Sequence, residues 1–156
     1  MSLSVRDKLS EALRKLAGGV DKRPILEAMG LQLVSITQRS FNDESQRAAA
    51  WAPLKPATLA QKLKAGKSSA ILKRNVVLAR SWRVGAVTPS TVTVGTDRPY
   101  APYHQFGAPK RGIPARPMLP FTGTPERAEL APWAREKLRK IGQAKLDSLL
   151  KQQAQG

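Results

Sequence analysis

The sequence predicts an α+β fold: a small antiparallel β-sheet, made of a hairpin and an edge arm, packed against N-terminal and C-terminal α-helices, with a long basic loop. Three observations predict it. Apolar residues recur every three or four positions near both ends of the chain, the helical period. Apolar and polar residues alternate between Trp82 and Val94, the strand period. Seven prolines lie between Pro99 and Pro125, and proline lacks the donor that a central strand needs. The length of 156 residues predicts a single domain over 1–156, with N-terminal helices within 1–44 and a C-terminal helix over 132–152.

Val5, Leu9, Leu13 and Leu16 fall on one helical face, and Gly18 with Gly19 ends that helix. Asp21 suits the N-cap of a second helix with Pro24 in its first turn, and Ile25, Met29, Leu33 and Ile36 carry its apolar stripe. Pro56 opens a short helix bearing Leu59 and Leu63. Lys62 to Arg74 then mixes Lys62, Lys64, Lys67, Lys73 and Arg74 with Gly66, Ser68 and Ser69, and reads as a mobile basic loop. Trp82, Val84 and Ala86 alternate with Arg83 and Gly85, Thr88 to Ser90 supplies a turn, and Val92 and Val94 alternate with threonines, so a hairpin with one buried face is predicted. Residues 99–125 read as an extended, shaped segment. Pro132 opens the last helix, in which Leu138, Ile141, Leu146, Leu149 and Leu150 form the stripe, and the tail after Gln152 is expected to fray.

Leu, Ile, Val and Phe number 35, only about 22% of the chain, close to the ~20% at which chains stay disordered. A core this thin makes completion by neighbouring subunits an expectation. Cysteine is absent and His104 is the single histidine, so thiolate and multi-histidine metal sites are excluded, and no cofactor is expected. No stretch is apolar enough for a transmembrane span or a signal peptide, which predicts assembly in the cytoplasm and no membrane partner.

The net charge is +16, and residues 45–125 hold thirteen Lys or Arg against one acid, Asp97. That leaves +12 in the middle. A block of one sign reads as a solvated face, or as a contact with phosphates or an acidic protein surface. Zinc-finger spacing, an RNP-like aromatic motif and a phosphate-cradling glycine loop are all missing from the sequence, so sequence-independent nucleic-acid binding stays as the alternative function.

Tyr100, Tyr103, His104 and Phe106 gather within seven positions. His104 as an acid or base lacks a nearby titratable partner to orient it, whereas aromatics anchoring a turn, or a subunit contact, both fit the cluster. From Ile113 to Phe121, prolines are interspersed with apolar residues and Arg116. A polyproline ligand for a groove and an arm lying across a neighbour both suit it; the arm is preferred.

Taken in order, several elements resemble one family: Trp51 to Leu54, Thr58 and Lys62, Ile71 and Leu72, Leu78 to Trp82, Val92 to Thr96, Tyr100 and Ala101, His104 to Gly107, and Ile113 to Leu119. They are similar to the virion morphogenesis, or tail-completion, proteins of tailed bacteriophages over about residues 41–121. The sequence departs from that pattern at Arg74 to Val77, where the family reads Thr-Gly, which predicts a reshaped turn before the first strand.

The resemblance implies a non-enzymatic structural protein of the virion neck. It implies a homo-oligomeric, hexameric ring at the head–tail junction, between a head connector or adaptor and tail terminator or tube proteins, with passive contact to passing DNA. Trp51, Trp82, Tyr100, Tyr103, His104, Phe106, Arg116, Pro117 and Met118 are the expected subunit or partner contacts, and the basic loop is the second candidate surface.

Overall fold

The computed structural model describes residues 2–4, 20–72 and 76–156; the helix predicted over 5–17 lies outside them, as do Lys73 and Arg74. The described residues form five α-helices and two small antiparallel sheets, an α+β fold, divided between two compact units. Among the described residues, unit 1 comprises 35–72, 76–82 and 96–131, and unit 2 comprises 2–4, 20–34, 83–95 and 132–156.

In unit 2, helix α1 (Arg23–Arg39) starts where Asp21 was expected to cap it: the Arg23 backbone N–H donates to Asp21 Oδ1 at 3.0 Å. The Arg23 guanidinium closes on the same carboxylate at 2.8 Å. Those hydrogen bonds hold the Asp21 carboxyl below its ordinary pKa. Ile25, Met29 and Leu33 are buried along one face; Ile36, which belongs to unit 1, is buried as well.

Strands β1 (Ser2–Ser4), β2 (Arg83–Val87) and β3 (Val92–Gly95) form a sheet in the order β1-β3-β2, antiparallel throughout. The predicted hairpin is present, and Thr88 N–H donates to Thr91 O at 2.8 Å across its turn. The register slips between Val84 and Val87, so Val87 rather than Ala86 is the half-buried side chain at that end; a bulge breaks the period-two alternation read from the sequence. The expected edge arm is not part of this sheet. Its third strand is β1, because the proline-spaced segment has too few free N–H groups to complete a ladder.

Two glycines bring the helices of this unit close to their neighbours. A Cβ at Gly30 of α1 would lie 2.7 Å from Val92 Cγ2, and one at Gly142 would lie 3.0 Å from Met29 Sδ. Gly142 belongs to the C-terminal helix Pro132–Ala154, which buries Ala134, Leu138 and Leu146. On its outer face Glu136 pairs with Arg139 at 2.8 Å. The helix runs two residues past the predicted end.

Unit 1 contains helices α2 (Pro56–Lys64), α3 (Val77–Arg80) and α4 (Ala101–Phe106) and a two-stranded sheet of β4 (Phe121–Thr122) and β5 (Glu129–Leu130); the C-terminal helix of unit 2 is α5. The segment expected to be extended therefore begins as a helix, with Pro102 in its first turn, where a missing N–H costs nothing. The basic loop is also shorter than expected. Lys62 and Lys64 belong to α2, and Lys62 is buried, donating from Nζ to Ala70 O at 2.5 Å. Lys67 N–H donates to Lys62 O at 2.8 Å, tying the start of the remaining loop to the helix end.

The expected arm packs inside its own unit instead of reaching outward. Arg116, Met118, Leu119 and Pro120 are buried, and Arg116 N–H donates to His104 O at 2.6 Å. Gly107 makes the reversal between α4 and the arm at φ +79° and ψ 166°, a region essentially confined to glycine. A Cβ there would also stand 2.9 Å from Ala115 N. Gly107→Ala is expected to destabilise the protein by about 2 kcal/mol, combining backbone strain with the clash; the midpoint of urea unfolding measures it.

Candidate functional site

The described residues of unit 1 enclose a cleft of about 440 Å³. Its walls come from Leu54, α2 and the loop after it, the turn into α3, the start of α4, and Arg116. Proline at the first position of α2 and the buried Leu78 and Ala79 of α3 set those helices; Tyr100 and His104 then stand one helical turn apart, edge to face at 6.1 Å between ring centres. Val76, Val77 and Tyr100 at the rim are among the most exposed large apolar side chains, at 40%, 41% and 40%.

Two residues beside the cleft, Leu72 and Val76, adopt left-handed backbone at φ 57° and 59°. Such a conformation costs a non-glycine residue roughly 1–3 kcal/mol. Val76 lies in the stretch where the sequence departs from the expected Thr-Gly pattern, and it stands immediately before helix α3, which precedes strand β2.

The positive charges of the cleft are Lys62, Lys67 and Arg116, and no carboxylate among the described residues lines it. Arg116 donates from Nε to Ala52 O at 2.8 Å and from Nη2 to Pro53 O at 2.9 Å, which fixes its guanidinium without neutralising it. Burial pushes the His104 imidazole pKa below its ordinary value, and the Arg116 charge pushes it further down. His104 Nδ1 is enclosed with no hydrogen-bond partner among the described residues.

A depressed histidine pKa means that the unfolded chain binds more protons than the folded one between the folded pKa and about 6.5. The stability from keeping His104 neutral is therefore complete above about pH 6.5 and is lost as pH falls through the folded pKa. His104→Gln is expected to flatten the change in melting temperature between about pH 7.5 and pH 5, and parallel melts of the two proteins check it.

The structure sorts the expected contact residues into two groups. Trp51, Trp82, Arg116 and Met118 are interior, so they cannot present side chains to a subunit while unit 1 keeps this fold. Trp51 donates from Nε1 to Pro117 O at 2.7 Å, meets Phe41 edge-on at 5.6 Å and is covered by the Arg47 guanidinium at 4.0 Å. Pro117 and Phe106 are half-buried. Tyr100 and Tyr103 are exposed and His104 is half-buried, and Tyr103 carries Arg111 over its ring at 4.5 Å.

Sequence reasoning passed over Gln105, which is buried at 2% and accepts from both Met118 N–H and Leu119 N–H at 2.9 Å through Oε1. It clasps the arm to α4. The signal was an uncharged amide set among aromatics immediately before a proline-spaced segment, whose backbone donors need acceptors wherever it is buried.

Among the described residues no group of three or more His, Cys, Asp or Glu is placed to hold a metal ion, and no helix is long and apolar enough to cross a membrane. No curated protein and no solved structure matches the chain. The order of elements that pointed to phage assembly proteins is matched by a family model over residues 3–144, nearly the whole chain, and the chain belongs to the phage virion morphogenesis family.

Proposed function

We propose that this virion-associated assembly protein acts at the neck of a tailed phage, completing the tail and joining it to the head as an oligomeric, hexameric ring, without catalysis. The observation that carries this reading is the family match over residues 3–144. Two features support the oligomer. The apolar content is thin for the chain length, which favours burial against neighbours. Strand β2 is an edge of its sheet among the described residues, a surface able to pair with a neighbour's strand in a head-to-tail ring. The proposed partners are the head connector or adaptor on one side and tail terminator or tube proteins on the other.

The test is a nonsense mutation in the gene for this protein within its phage. Lysates are expected to hold filled heads and separate tails, with joining restored when the purified protein is added. Electron micrographs of that protein, free of DNA, are expected to show rings. Normal infectious particles from the mutant, or a persistent monomer that binds bulk duplex DNA, would count against the neck assignment.

A further inference from the structure

The cleft of unit 1 has the size of a specific recognition site, about 440 Å³ against the ~300–1,000 Å³ common for such sites. Its rim exposes Val76, Val77 and Tyr100 to solvent, apolar area concentrated at one place. Lys62, Lys67 and Arg116 supply its charge, and no carboxylate lines it among the described residues. The left-handed backbone at Leu72 and Val76 adds strain along one side, and strain of this kind gathers at ligand clamps and switch regions.

We propose that this cleft receives an acidic segment with apolar anchor residues, belonging to a different protein. Its carboxylates meet the exposed Lys67 in the positive field of Lys62 and Arg116, whose heads are held on Ala70 O and on Ala52 O and Pro53 O, and its anchors cover Val76, Val77 and Tyr100. A second copy of this chain is a poor occupant of this cleft, because its 11 acids are scattered among 27 basic residues in runs no longer than two and supply no acidic segment. Duplex DNA supplies charge, but its phosphates and groove edges include no flexible apolar side chain that could enter the cleft and cover its rim. The proposal rests on the assembly reading only in making the occupant a protein of the particle.

The full-length protein is titrated into a short fluorescent peptide carrying glutamates around two leucines, with the glutamine version as control. Fluorescence anisotropy is expected to show the glutamate peptide bound about tenfold more tightly, and weakened when salt rises from about 0.05 to about 0.3 M. Lys67→Glu and Val77→Asp, both at exposed positions, are each expected to weaken binding about tenfold, while Lys67→Arg restores it. Lys151→Glu makes the same charge change on unit 2 and is expected to leave binding unchanged.

Equal binding of the two peptides, full binding by Lys67→Glu, or an equal loss with Lys151→Glu would overturn the proposal. So would duplex DNA that displaces the peptide and is itself lost in the cleft variants. A change of oligomeric state in Val77→Asp without any peptide would assign the cleft to a second copy and overturn it too. Failed peptide binding alongside unjoined heads and tails in the nonsense mutant refutes the cleft alone; normal joining in that mutant refutes the neck reading.

Discussion

Gln105→Leu is expected to destabilise the protein by about 4 kcal/mol, because it leaves two buried N–H groups without an acceptor, each costing about 1–3 kcal/mol, and also removes a donor. Met118 and Leu119 are 0% and 1% exposed, and both donate to Gln105 Oε1. Water cannot take over that role without opening the unit. The same amide donates from Nε2 to Leu119 O at 3.4 Å, so one side chain meets three backbone groups of the arm. Leucine nearly preserves the volume, which isolates the polar term from packing. At about 2–4 °C per kcal/mol for a chain of this size, the melting temperature should fall by about 8–16 °C. Amide exchange at 118 and 119 should accelerate more than elsewhere in unit 1. A loss below about 1 kcal/mol would mean that the arm relaxes to find other partners.

Arg116→Ala should cost about 3 kcal/mol, since hydrogen bonds to a charged group contribute about 1.5–3 kcal/mol each and two are lost. The guanidinium ties Ala52 O and Pro53 O to the arm across more than 60 residues of sequence, at 2.8 and 2.9 Å. Arg116→Lys is expected to recover part of the loss, because an ammonium lacks the planar fork that reaches both carbonyls. Thermal melts of the purified protein decide the point. An arm that crossed to a neighbour would lose assembly with its fold intact; the internal anchoring places the loss in the fold itself. An unchanged melting temperature would show that these bonds merely exchange with water.

The periodic elements were legible in the sequence for a local reason. Ile25, Met29, Leu33 and Ile36 bury along α1 at helical spacing, Pro56 opens α2, and Val84 and Val94 face each other in the hairpin. The family could be read as well, because the order of short elements from Trp51 to Leu119 survives without any knowledge of their contacts.

The cleft was not legible. Its walls join Leu54, Lys67, Val77, Tyr100 and Arg116, positions whose approach depends on chain paths that no local period encodes. Lys62 shows the same limit: a lysine among glycines and serines reads as solvated, yet it lies buried against Ala70 O because a long aliphatic stem can be covered while its head finds a carbonyl.

The sequence by itself determined helices α1, α2 and α5, the hairpin, the absence of cysteine chemistry and the assembly family, all set by composition and by spacing along the chain. The tertiary structure alone decided that the proline-spaced arm lies inside unit 1. A proline-spaced segment is poorly suited to a central ladder, and its buried donors are satisfied by Gln105 Oε1 and the His104 carbonyl, while the Trp51 indole donates to Pro117 O.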